Sequence, residues 1–204
     1  MNQIEKGTIT EYNQEISMPY IDGEPLNIHL SKQTSDKSLA QLWSAWEGLN
    51  NVNEQAYIKQ LLCYQIDGIV PILICPDDMD LSCITIVADV KSTNNTVYWK
   101  RVGVLKAKNW SNQKWVSSGI RNTTRWSNEQ FQSLDYLRLL DKENPEWDQW
   151  ICANWPYEES MRLWNYHFVY MNNQENIEWY DVPSFEFNRL SYRQCVEQIL
   201  VSNI

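Results

Sequence analysis

The alternation between residues 82 and 105 leaves few folds open to this chain. In an extended strand over 82–90, Ile84, Ile86, Ala88 and Val90 share one face, and Cys83, Thr85, Val87 and Asp89 share the other. Residues 91–96 carry Asn94-Asn95 and predict a turn. Residues 97–105 then return as a second strand, rich in branched and aromatic side chains. Strand, turn and strand of this kind predict an antiparallel hairpin, central to one sheet.

Helical signals lie on either side. Residues 54–66 predict a helix with Asn53 as its cap, Ile58, Leu61, Leu62 and Ile66 on one apolar face, and Asp67-Gly68 as its stop. Residues 69–75 form a short apolar run interrupted by Pro71, which reads as a buried strand with its proline near the start or on an edge. In the C-terminal half, Ser127 to Gln130 forms a capping box, flanked by a staple of Trp126 on Phe131. Asn144-Pro145 opens another helix. Tyr157, Met161, Trp164, Phe168 and Met171 then fall at helical spacing behind Glu158 and Glu159, which occupy a first turn. Residues 177–180 and 184–187 predict short strands, and Ser191 to Gln194 a capping box for a last helix with Cys195, Ile199 and Leu200 inward. The first fifty residues read as irregular, with Pro19 and Pro25 bracketing a turn at Ile21-Asp22-Gly23. No linker rich in Pro, Gly or Ser divides the chain. The expectation is one α+β domain over residues 1–204, its antiparallel sheet covered by helices mostly from the C-terminal half.

Composition narrows the chemistry. Only 6 of 204 residues are glycine, against 11 tryptophans, and phosphate-cradling loops and nucleophile elbows are built on glycine. There is no HExxH, GxSxG, GxGxxG or Walker A sequence. Only two histidines exist, His29 and His167; no motif of recognisable spacing surrounds His167, so a packed or surface role is expected of it. Five cysteines (Cys63, Cys75, Cys83, Cys152 and Cys195) form no CxxC pair, and the odd count with no visible secretory signal points to reduced thiols in a cytoplasm. Cys75 and Cys83 flank an acidic segment and could meet across a turn, but burial as small apolar residues is the plainer expectation. No apolar run approaches the roughly 20 residues of a membrane helix. Neither a catalytic residue, a metal site nor a cofactor is predicted.

Charge is segregated along the chain, whose net charge is −9. Residues 1–90 hold 4 basic and 13 acidic side chains, residues 91–125 hold 8 basic and no acidic ones, and residues 126–204 hold 5 basic and 13 acidic. Within the basic stretch Trp99, Trp110 and Trp115 interleave with Lys100, Arg101 and Lys114, a pattern suited to single-stranded nucleic acid through phosphate neutralisation and base stacking. The alternative is that these cations pack against acidic neighbours in the same fold, and two acidic flanks favour it. Asp77, Asp78 and Asp80 form the other notable cluster. The glycine turn and distal bidentate Glu of an EF-type loop are missing, so they read as turn-capping groups or as a negative patch facing a basic partner.

The segment Val70-Pro71-Ile72-Leu73-Ile74-Cys75-Pro76-Asp77-Asp78-Met79-Asp80-Leu81-Ser82-Cys83, followed by Ile84-Thr85-Ile86-Val87 and Tyr98-Trp99-Lys100-Arg101-Val102-Gly103, resembles a family of uncharacterised bacterial proteins with a VPIL-CPDD-D-SC core and a W-R-G strand. Ile21 to Leu26 resembles that family's N-terminal element, so the resemblance spans about residues 21–105. Such small acidic proteins look like the immunity proteins of polymorphic and contact-dependent toxin systems. The resemblance implies a cytoplasmic, non-catalytic protein that neutralises a cognate toxin by occlusion. A basic partner such as a nuclease would be met by Asp77, Asp78, Asp80, Glu158 and Glu159. Single-stranded nucleic acid binding through residues 91–125 is the alternative.

Overall fold

A computed structural model describes residues 1–11, 13–50, 52–63, 67–81, 83–106 and 171–201, with the backbone alone for 52, 53 and 201. The fold is α+β: two antiparallel sheets, with three α-helices among the described residues. These residues pack as one compact unit. The helices expected between residues 127 and 171 lie largely outside them, and so does the part of the single-domain expectation that concerns residues 107–170.

The expected hairpin is the centre of the larger sheet. Strand β6 (Thr85–Ser92) pairs with β7 (Thr96–Leu105) through a turn in which Thr93 N donates to Thr96 O at 2.8 Å. From Thr85 to Val90 every residue of β6 is buried, so both of its faces are covered, while Ile84 lies outside the strand and is 45% exposed. Strand β5 (Gly68–Ile74) pairs with the other edge of β6, and β4 (Trp43–Ser44) pairs with the end of β5. Pro71 is accommodated because β4 reaches only Leu73 and Ile74, and a register shift follows the proline. Its carbonyl accepts from Trp46 Nε1 at 3.1 Å. Across the sheet, β8 (Ile177–Trp179) and β9 (Phe185–Asn188) share the second edge of β7, one at each end. Gly103 is needed at the β8 crossing: a Cβ there would stand 2.5 Å from Glu178 O.

The described residues among the first fifty carry regular secondary structure, contrary to the irregular chain expected. Strands β1 (Ile4–Glu11), β2 (Gln14–Ile21) and β3 (Glu24–Pro25) form the second sheet, and α1 (Leu26–Thr34) follows directly. The turn at Asp22-Gly23 is present, with φ of 53° and 82°, the left-handed pair that a two-residue hairpin requires.

Helix α2 (Val52–Cys63) starts before Asn53, which lies inside the helix rather than capping it. Ile58, Leu61 and Leu62 are buried as expected, joined by Tyr57 and Glu54; Ile66 lies outside the described residues. The last helix, α3 (Arg189–Val201), begins before the predicted capping box at Ser191. Asn188, ending β9, caps it instead, its Oδ1 accepting from Leu190 N at 3.0 Å and Ser191 N at 3.2 Å. Tyr192, Cys195, Val196 and Ile199 form its buried face, and Leu200 is half-buried. Over this face sits an aromatic core. Trp99, fully buried, meets Trp46, Phe185, Phe187 and Tyr192 at centroid distances of 5.2–6.4 Å, all close to edge-on.

Candidate functional site

The acidic turn is a loop mounted at the end of a buried strand. β5 is apolar to its end, and Cys75 immediately after it is 8% exposed. Its amide donates to Ile84 O at 3.0 Å, closing the base of the loop beside β6. Within the loop, Met79 takes a φ of 51° and its amide donates to Cys75 O at 3.1 Å, while Cys83 N donates to Asp80 Oδ1 at 3.3 Å.

Two anchors tie the loop to the region preceding β5. Asn50 N donates to Met79 O at 2.9 Å, and Leu81 N, buried with its side chain, donates to Glu54 Oε2 at 3.1 Å. Glu54 is a 6%-exposed carboxylate in the first turn of α2. Sequence reasoning did not single out either anchor. The signal for Glu54 was its place on the inward side of the helix, one turn before Ile58.

On this frame Asp77 and Asp78 are exposed and Asp80 is half-buried. Asp77 makes no ion pair among the described residues. The loop also brings Cys75 and Cys83 together, as their flanking positions allowed. Both Sγ atoms and a carboxylate oxygen of Asp78 lie within 4.8 Å of one another. Cys75 is a small buried residue as expected, but Cys83 is half-buried. Its thiol is pushed up to about 12, first by donating to the Asp78 carboxylate and then by burial; a backbone hydrogen bond from Ile84 opposes this, and the neighbouring Cys75 adds a lesser rise. The Cys83 thiol is therefore protonated near neutrality and a poor nucleophile. Cys195 is likewise pushed up to about 12, first by burial.

Glu158, Glu159, Trp110, Lys114, Trp115 and His167 lie outside the described residues. Trp99, proposed to stack on bases, has 0% exposure and donates from Nε1 to Tyr192 Oη at 3.4 Å. It is core, and no base can reach it. Arg101 lies across from Asp89 on β6, with Nη2 2.7 Å from Oδ2, and its guanidinium sits 4.1 Å above the Trp179 ring. Of Trp99, Lys100 and Arg101, Lys100 alone is exposed. Within the hairpin, Arg101 therefore packs against an acidic and an aromatic neighbour, and Lys91 lies 3.7 Å from the Asp67 carboxylate.

His29, on α1, is 3.5 Å from Glu24 Oε2, 2.9 Å from Gln33 Nε2 and 5.7 Å from the Phe185 ring centroid. A cavity of about 300 Å³ opens between α2 and α3, bordered by Leu62, Cys63, Tyr192 and Val196. Of its charged rim residues, Arg193 and Glu197 pair with each other at 2.7 Å and Arg189 donates to Thr93 O at 2.6 Å. No described helix is long and apolar enough to cross a membrane. No family model, curated protein or solved structure matches the chain.

Proposed function

We propose that this chain is an immunity-type protein that binds a cognate toxin and neutralises it by occlusion, without chemistry of its own. The observation that carries this reading is the acidic turn: Asp77 and Asp78 stand exposed on a loop whose backbone is tied to Ile84, Asn50 and Glu54. Carboxylates on a pre-organised loop lose little conformational entropy on binding. In a chain of net charge −9 they also accelerate encounter with a basic partner. The resemblance of residues 21–105 to a family of uncharacterised bacterial proteins, whose small acidic members look like immunity proteins, points the same way.

The test is co-expression with the product of the neighbouring gene, followed by association kinetics of the purified pair. Protection from toxicity is expected. Asp77→Lys should slow association about three- to tenfold at low salt and weaken its salt dependence, a share of the roughly 10- to 1,000-fold that electrostatic steering supplies. Protection without any change in rate would move the interface away from this turn. A neighbouring product that is neither toxic nor bound would overturn the reading.

A further inference from the structure

The acidic turn also sets Asp78 beside Cys75 and Cys83, a donor set that attraction to a basic partner does not require and whose chemistry is specific. We propose that these three side chains bind one divalent ion of the zinc class, which closes the acidic turn across its base. Two sulfur donors and one carboxylate oxygen within 4.8 Å of one another suit a borderline-soft ion rather than calcium or magnesium, which take oxygen ligands. Zinc–sulfur bonds of about 2.3 Å at the tetrahedral angle place two sulfurs about 3.8 Å apart. With a zinc–oxygen bond of about 2.0 Å the carboxylate oxygen stands about 3.5 Å from each sulfur, so no donor pair is wider than the ion requires by more than about 1.3 Å.

The backbone already has the shape the ion would demand. Cys75 N on Ile84 O holds the two ends of the loop together at 3.0 Å, and Met79 N on Cys75 O closes the turn that brings Asp78 back over the thiols at 3.1 Å. The Leu81 and Asn50 anchors fix the remainder. Binding releases both thiol protons to solvent and leaves two thiolates and one carboxylate on the ion, a site of net charge −1. The fourth tetrahedral position goes to water, since Asp78 is exposed and Cys83 half-buried. The spacing, two residues between Cys75 and Asp78 and four between Asp78 and Cys83, lacks a CxxC pair, so the sequence pattern alone did not announce it.

The full reduced chain is titrated with Co²⁺, whose tetrahedral thiolate complexes absorb in the visible and near ultraviolet, and the complex is then challenged with Zn²⁺. One Co²⁺ per chain is expected, with sulfur-to-metal charge-transfer bands that Zn²⁺ abolishes. Cys83→Ser should lose the bands, and Asp78→Asn should weaken affinity by at least the roughly 10- to 100-fold typical of lost supporting contacts. Cys63→Ser, which alters an exposed thiol on α2, should leave the titration unchanged. Cys75 is buried, so Cys83→Ser and Asp78→Asn, at more exposed positions, carry the test if Cys75→Ser fails to fold. Absence of thiolate bands at stoichiometric Co²⁺ would overturn the proposal. So would bands that survive Cys83→Ser, or bands lost with Cys63→Ser.

Discussion

Replacing Arg101 by Gln asks whether the basic residues of the central hairpin are structural. The guanidinium lies 2.7 Å from Asp89, with side-chain exposures of 39% for Arg101 and 12% for Asp89. The carboxylate is thus the more buried partner, and it is the group left uncompensated when the cation goes. A hydrogen bond between charged groups contributes about 1.5–3 kcal/mol, and the exposure of the arginine places this one near the lower end. The contact over Trp179 at 4.1 Å adds about 0.5–1 kcal/mol. Arg101→Gln should therefore cost about 2–3 kcal/mol. For a chain of 204 residues this lowers Tm by about 4–12 °C. Urea unfolding of the wild type, Arg101→Gln, Asp89→Asn and the double variant closes a thermodynamic cycle. A coupling energy of about 1–2 kcal/mol is expected, because the neutral amide that Asp89→Asn introduces no longer needs the cation. A loss below about 0.5 kcal/mol with no coupling is what a solvated surface cation gives, and would refute the reasoning.

Two further perturbations probe the loop and the hairpin end. Glu54→Ala leaves the buried Leu81 amide without this acceptor and should cost about 1–3 kcal/mol, with faster hydrogen exchange at Leu81 and Met79, whereas Glu54→Gln, which keeps an acceptor, should cost less than about 1 kcal/mol. Asp67 accepts from both the hydroxyl and the amide of Ser92 at 2.7 Å; the hydroxyl bond is the main cause that holds its carboxyl below the usual range, burial opposes it, and the Ser92 amide and Lys91 assist. Its contribution is therefore complete above the unfolded value of about 3.9 and lost as pH falls through the lower folded value, so the stabilities of wild type and Asp67→Asn, read as urea midpoints against pH, should differ at pH 7 and converge below about pH 4.

The hairpin was legible because pleat periodicity and turn chemistry agree over 82–105. Its neighbours at β8 and β9 were legible for the same reason. The ordered N-terminal region was not, for a physical reason. In β1 only Ile4 is fully buried, so apolar alternation is faint. Helix α1 buries Asn27 and Ser31 beside Leu26 and Leu30. Asn27 is tolerated there because its Nδ2 donates to the carbonyls of Ala40 and Leu42, at 2.8 and 3.1 Å. A polar residue satisfied by distant backbone leaves no trace in hydrophobic spacing. At Trp99 the nucleic-acid pattern misled in a different way. Charges and aromatics were counted along the sequence, whereas a strand sorts them by face: Trp99 turns into the core and Lys100 away from it.

The same sorting divides the acidic turn, where adjacent carboxylates have different neighbours. Asp78 lies beside two thiols, whereas Asp77 has no ion pair among the described residues. A charge that coordinates an ion is partly neutralised and contributes little to a long-range field, so the two residues cannot be exchanged as probes. Reversal at Asp77 changes the field a partner meets and leaves all three donors in place. Conversion of Asp78 to Asn removes a donor and one charge together. If recognition depends on the field of the turn, Asp77→Lys slows association with or without Zn²⁺. If it depends on the shape of the closed loop, association with the wild type gains speed on adding Zn²⁺, and Cys83→Ser abolishes that gain while Asp77→Lys preserves it. Comparing association rates for these two variants in chelator and in Zn²⁺ therefore assigns the turn's part in binding to charge or to shape.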